Sequence, residues 1–403
     1  MFNLFKKKQS SDLKSEYETK KRVQILENLP KVQEDAKEIF ESEGISFTKE
    51  VADRIAEDYQ SSFQIPNLEE RNKKCKQTKN GLYPHEILML DYAKKYKTSC
   101  NDFPGFWLYE YGVKNPQSVL ESLCDRNFIV QGGLKDALNQ LKLPELKSEL
   151  SSYGLSSTGK KADLIERLLA NVNEKQLDAK FTERYYALTD LGEQELKENE
   201  YVIYMHKNKS MFADLGVYGM HHKLFFDNPD NHSFRDLLWA ELNRQSMQFA
   251  MSWDFGLYRN TRLSMYNFLI EEEKYHDAFA RLCEVLYVDL SGMSNEGRKI
   301  TRKSWLKQMM EWNFPYEKSI ATLPPAINRW LKNMKEKLSL ESNDDLRSAL
   351  VTQFSKLTKM TPYHLFTPEE CADITVYEFM GDKQKVSDIY KIAEVRVKEQ
   401  INK

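Results

Sequence analysis

The run LKLPELKSELSSYGLSSTGKKADLIERLL, Leu141 to Leu169, constrains this chain more than any other stretch. Its apolar residues fall in two series, Leu143, Leu146 and Leu150 before Gly154, then Leu164, Ile165 and Leu168 after it. Spacings of three and four place each series on one face of an α-helix; a buried strand would show a short continuous apolar run instead. Gly154 stands where the first helix must stop, as a left-handed residue just past the cap. Ser156, Ser157 and Thr158 are the N-cap candidates for the second helix. The spacing predicts a helical hairpin closed by a tight turn.

The same turn, GLSSTGKK, also reads as glycine, four residues, glycine, lysine, the outline of a phosphate-cradling Walker A loop. Such a loop follows a buried strand, and its lysine precedes a Ser or Thr whose hydroxyl holds Mg²⁺. Here Lys160 is followed by Lys161, the preceding element has a helical stripe, and no later apolar strand ending in Asp supplies a second metal ligand. The nucleotide reading lacks its partners.

The pattern that does fit is a leucine–lysine pair, a spaced leucine, Gly-Leu, Gly-x-Lys, a spaced leucine and a final Arg-Leu. The chain supplies Leu146-Lys147, Leu150, Gly154-Leu155, Gly159 with Lys161, Leu164 and Arg167-Leu168. With these residues Leu134–Val172 resembles a SAP domain, without departure from that pattern. The resemblance implies DNA binding, at Lys147, Ser157, Thr158, Gly159, Lys160, Lys161 and Arg167. Simple electrostatics agrees in outline. A helix N-terminus offers free N–H groups and the positive end of its dipole to phosphate. Lys160 and Lys161 beside it, with Lys147 on the preceding helix, form a compact cationic patch that Glu145, Glu149 and Glu166 dilute. Binding by this module alone is expected to be weak.

A length of 403 residues leads to an expectation of two to four domains, and 41% hydrophobic residues suffice for real cores. The formal net charge is −2, so any contact with nucleic acid is local rather than a coat of basic charge. Cys75, Cys100, Cys124, Cys283 and Cys371 are scattered, odd in number and without a CxxC pair. That usage predicts reduced thiols and a cytoplasmic setting, not a disulfide frame or a zinc site. No apolar run reaches the roughly 18 residues of a membrane span. The opening MFNLFKKKQSSD is too short in its apolar part for a signal peptide; it reads as a disordered tail, with contact at a membrane surface as the alternative.

Residues 1–80 read as a charged helical N-terminal region, with helical stretches at Val32–Phe40 and Lys49–Tyr59, followed by a basic tract with five cations from Arg71 to Lys79 that reads as a solvated linker or, alternatively, a second phosphate contact. PHEILMLDYAKKYKT is a helix opened by Pro84. NPQSVLESLCDRN is another, capped by Asn115 and opened by Pro116, with Val119, Leu120, Leu123 and Cys124 on its apolar face. A strand at Phe128–Val130, a return strand at Tyr185–Leu188 and a helix after LTDLG complete an order that resembles a winged helix. On that reading residues 81–133 plus 181–200 form a small α+β domain, and the SAP module, residues 134–180, is inserted in the tip of its wing. A generic α+β hairpin gives the same pattern. The helix that would read DNA exposes Glu121 and Asp125 against Arg126, a poor surface for a phosphate-lined groove.

Residues 201–403 read as a helical C-terminal domain. Within it residues 261–292 resemble one tetratricopeptide unit, a helix pair with Leu282, Val285 and Leu286 inward, as in an ordinary helical hairpin. His221, His222 and His232 do not complete a metal-ligand spacing. A basic run from Arg298 to Lys337 carries Trp305, Trp312 and Trp330, whose helical spacing points to a core more than to base stacking. No nucleophile elbow, dinucleotide loop or nuclease-type carboxylate pair is recognisable, and no cofactor is implied. The expectation is therefore a mainly α, multidomain, non-enzymatic DNA-binding protein whose C-terminal domain binds a protein partner or a second copy of itself. SAP modules joined to helical regions of this kind occur in bacteria and their phages. An adaptor that never meets DNA, or a nucleic-acid-processing enzyme with its catalytic domain at the C-terminus, are the alternatives. Retention on a DNA column and a metal-dependent nuclease assay separate them.

Overall fold

The structure is a computed structural model that describes residues 33–34, 37, 48–53, 65–209, 215–293, 300–319, 323, 325–360 and 363–403. It is mainly α, with a single two-stranded sheet among the described residues. The chain divides into two compact units, Met1–Lys209 with Asp214–Asp227, and Ser210–Ala213 with Asn228–Lys403.

Most of the charged N-terminal region, including MFNLFKKKQSSD, lies outside the described residues. Its described parts are helical at Gln33, Glu34, Lys37 and Lys49–Asp53. The first unit continues with α1 (Leu68–Lys73), α2 (Pro84–Ala93), α3 (Phe106–Tyr109) and α4 (Pro116–Asp125). It is buried around α2, whose Ile87, Leu88, Met89 and Leu90 are all inaccessible to solvent. A helix apolar on every side has no other stable place than a core. Asn115 caps α4 by accepting the Ser118 N–H at 3.3 Å, and Leu120 and Leu123 are its buried residues.

Strand β1 (Ile129–Gln131) pairs antiparallel with β2 (Tyr186–Leu188), in the register Ile129 with Leu188 and Gln131 with Tyr186. Between them lie α5 (Leu134–Gln140), α6 (Leu143–Ser152), α7 (Lys161–Asn171) and α8 (Glu174–Lys180). After β2, Thr189 caps α9 (Asp190–Glu198) by accepting the Gly192 N–H. A Cβ on Gly192 would stand 2.2 Å from the Phe128 carbonyl oxygen, so the glycine of LTDLG is what lets α9 approach the start of β1.

The first unit also takes in α10 (Glu200–Lys207) and α11 (Gly216–Phe226), whereas sequence alone assigns residues from 201 onward to the C-terminal domain. Buried hydrogen bonds explain the assignment. His206 lies between two hydroxyls, with Tyr92 Oη at 3.1 Å from Nε2 and Tyr111 Oη at 2.8 Å from Nδ1. On α11, His221 Nε2 donates to the Lys76 carbonyl at 2.8 Å, so its Nδ1 accepts from the Tyr201 hydroxyl at 2.6 Å. The adjacent His222 points elsewhere, 3.1 Å from Asp227, and His232 stands 3.8 Å from Asp230. The basic linker serves the same unit. Arg71 donates to the Glu110 carbonyl at 2.6 Å, Lys76 to Phe225 at 3.0 Å, and Lys79 pairs with Glu198.

The second unit contains α12 (Phe234–Ser252), α13 (Phe255–Glu271), α14 (Tyr275–Ser291), α15 (Arg302–Asn313), α16 (Pro325–Lys337), α17 (Asn343–Phe354), α18 (Pro368–Met380) and α19 (Lys383–Asn402). Helix α14 runs through its centre: Leu282, Val285, Leu286 and Tyr287 are wholly buried. Tyr275 is only half-buried at the helix start, under the Lys337 ammonium at 4.8 Å from its ring. Of the three tryptophans in the basic run, Trp305 is core, Trp330 packs partly buried against Tyr266, and Trp312 is 43% exposed. At Trp312 the helical spacing alone misjudged burial.

The four helices between the strands share their own apolar core. Replacing residues 134–180 by a short Gly-Ser linker should leave the remainder of the protein with a cooperative thermal melt. Gly132 donates to the Tyr185 carbonyl at 2.8 Å, so the excised ends are already neighbours and the new loop is cheap to close. Differential scanning calorimetry checks this; loss of the cooperative transition would make the four helices integral to the first unit's fold.

Candidate nucleic-acid interface

The α5–α8 module is built on Leu138, Leu146, Leu150, Leu164 and Leu168, each with no exposed surface. Leu143 belongs to the same sequence stripe but, as the first residue of α6, is 41% exposed. Leu134 on α5 and Leu177 on α8 close the two ends of this core. Lys180 joins α8 to α6 by meeting Glu149 at 2.6 Å.

The turn at Gly154 has the geometry its sequence predicts. Gly154 has φ +68°, its N–H donates to Ser151 O at 3.0 Å, and the Leu155 N–H donates to Leu150 O at 2.9 Å. Those two bonds form a Schellman motif and satisfy the last carbonyls of α6. The start of α7 differs from expectation. Its N-cap is Lys160, not Ser156, Ser157 or Thr158, and the Lys160 N–H donates to Asp163 Oδ2 at 3.2 Å. The hydroxyls of Ser156 and Thr158 instead meet each other at 2.9 Å within the turn. Among the described residues no side chain caps the first N–H groups of α7, which leaves them available to an outside acceptor.

The seven residues picked out in the sequence separate into three roles. Arg167 donates through Nη1 to the carbonyls of Ser156 at 2.5 Å and Thr158 at 2.9 Å, holding the 156–159 turn against α7. Lys161 donates to Asn139 O at 2.6 Å, at the C-terminal end of α5, where the helix dipole favours a cation. Both are half-buried and both act first on the module's own backbone. Lys147 and Lys160 are exposed and carry no ion pair among the described residues. Ser157, Thr158 and Gly159 form the turn that Arg167 fixes. Neighbouring cations are neutralised: Lys135 meets Glu166 at 2.5 Å, and Lys180 meets Glu149.

At the C-cap of α4, Arg126 pairs with Glu86 at 2.6 Å and donates to the Gly81 carbonyl at 2.8 Å, so that cation is committed inside the unit. Residue spacing found the turn and its lysines. It could not show which cations are engaged, since the carbonyls that hold Arg167 and Lys161 leave no mark in side-chain identity.

The described residues contain no group of three or more His, Cys, Asp or Glu placed to hold a metal ion. None of their helices is long and apolar enough to cross a membrane. No curated protein matches this chain. Residues 137–173 match the SAP domain family. The match takes in most of α5 together with α6 and α7, so the helical module between β1 and β2 contains a SAP domain, which points to nucleic-acid binding.

Proposed function

We propose that the protein binds duplex DNA through its SAP domain and performs no chemistry on it. The observation that carries this reading is the SAP match at residues 137–173, in which Lys160 stands exposed at the N-cap of α7 and Lys147 stands exposed on α6. A positive, desolvation-cheap surface of this kind suits phosphate oxygens, which position a protein without specifying sequence. The strands and helices flanking the module support a winged-helix-like platform that carries it, with α4 serving packing rather than groove reading. The second unit supports a protein contact or self-association, because Met247 and Met251, one turn apart on α12, are 65% and 67% exposed.

The double change Lys147→Glu with Lys160→Glu should weaken binding to unrelated duplexes equally. It should also flatten the log–log salt dependence by about 2, roughly one per phosphate contact. Fluorescence anisotropy of the full chain across a salt series measures both. The thermal transition should stay in place, since no core residue changes. Unchanged binding in the double variant would remove the SAP turn from the interface, and tighter binding to an RNA duplex than to DNA would reassign the partner. Cleavage of the duplex with added Mg²⁺ would overturn the non-enzymatic part of the reading. Stabilisation by Mg-ATP, lost on Lys160→Ala, would revive the nucleotide loop.

A further inference from the structure

We propose that the nucleic-acid interface is composite: the C-terminal end of α2 adds Lys94 and Lys95 to the SAP domain's lysines, so that one duplex runs over both. This rests on the SAP domain's engagement of DNA. Two hydrogen bonds meeting on one short segment bring the two sets together. Gln140 Nε2, at the end of α5, donates to the Lys94 carbonyl at 2.9 Å, which fixes the SAP domain against the end of α2. One residue earlier, the Asn139 carbonyl receives the Lys161 ammonium at 2.6 Å. Lys142 follows two residues after Gln140, and Lys160 precedes Lys161. Lys94, Lys95, Lys142, Lys160 and Lys161 therefore gather around Asn139–Lys142, although 67 residues of sequence separate the first from the last (161 minus 94).

Four of these five lysines are exposed, Lys161 being the half-buried one. None forms an ion pair among the described residues, whereas the neighbouring Lys97, Lys135 and Lys180 are paired with Glu183, Glu166 and Glu149. Lys95 is held by the Tyr92 ring, its ammonium 4.3 Å from the centroid, an arrangement that leaves the charge uncancelled. Two acids within three residues of these lysines accept backbone N–H groups, and Asp91 on α2 faces Lys207 at 3.7 Å. Glu145 accepts the Lys142 N–H at 2.6 Å and Asp163 the Lys160 N–H at 3.2 Å. The chain connection adds stiffness to the arrangement. The Thr98 N–H donates to Arg184 O at 2.8 Å, and Tyr185 bridges to Lys97, so the exit from the SAP domain is tied to the same stretch that follows Lys94 and Lys95. A fixed spacing between two cationic groups lets both meet phosphates of a regular duplex without a further ordering cost.

The test uses the full chain and a duplex two helical turns long. Lys94→Gln with Lys95→Gln should reduce the magnitude of the salt slope by about 2 and weaken binding on the order of tenfold near 0.1 M salt. A charge-matched control in the second unit, Lys359→Gln with Lys403→Gln, should leave both quantities unchanged. If the Lys94 and Lys95 variant binds like wild type while Lys160→Glu is weakened, the composite surface is wrong and the SAP contact stands. If wild type itself retains no duplex at low salt, the DNA reading fails and the composite surface falls with it. A control variant as weak as the Lys94 and Lys95 variant would show a general charge effect and would also overturn the proposal.

Discussion

Leu286→Ala should destabilise the C-terminal unit by roughly 2–5 kcal/mol, the range for emptying a fully enclosed leucine site. The size follows from where α14 lies. Leu282, Cys283, Leu286, Tyr287 and Leu290 are inaccessible on successive turns, so the helix is surrounded and not merely covered on one side. A cavity opened there cannot be filled by one neighbour swinging inward, because side chains on opposite sides are already packed against α14. Ile392→Ala on α19 is the comparator: Ile392 is 64% exposed, and its loss should stay within about 0.5 kcal/mol. Urea denaturation followed by fluorescence of Trp305, which is 1% exposed in the same core, reports both. Equal effects of the two changes would mean that α14 does not hold the centre of the unit.

Acidification should unfold the N-terminal unit before carboxylate titration is complete, through a buried histidine. His85 is 4% exposed on α2, stacked near Tyr83 and 3.3 Å from the Tyr218 hydroxyl. Burial lowers its pKa from 6.5 to about 4. Between those two values the unfolded chain holds the His85 proton and the folded one does not, so stability falls as pH falls. The contribution is complete above pH 6.5, is lost across the window down to about 4, and changes no further below it. The whole window is worth on the order of 3 kcal/mol. His206 and His221 are shifted down by burial as well and act in the same direction. The histidine component shows between pH 6.5 and 5, above most carboxylate titration. His85→Gln should flatten the dependence there, measured by denaturant midpoints at a series of pH values. An unaltered slope in that variant would place the acid sensitivity elsewhere.

Much of the SAP domain was legible because its determinants act within a turn or two of chain. Leucine spacing sets a helix face, and Gly154 can take a left-handed φ that other residues resist, so α6 ends where the sequence says it ends. The pairing of β1 with β2 across more than 50 intervening residues was readable from the return of an apolar strand before LTDLG. Tertiary structure decided what those local rules do not reach. Ser156, Ser157 and Thr158 have N-cap chemistry, yet Lys160 occupies the cap because Arg167 pulls the preceding turn back through the Ser156 and Thr158 carbonyls. Lys161 resembles Lys160 in sequence and differs in role, since only the folded chain brings the Asn139 carbonyl to it. Helices α10 and α11 join the first unit through His206 and His221, whose partners on α2, α3's following turn and the basic linker are remote in sequence. Periodicity and capping are short-range and written in residue order. The partner of a charge or a buried imidazole is set by whichever backbone and side chains the fold packs beside it, and that arrangement exists only in three dimensions.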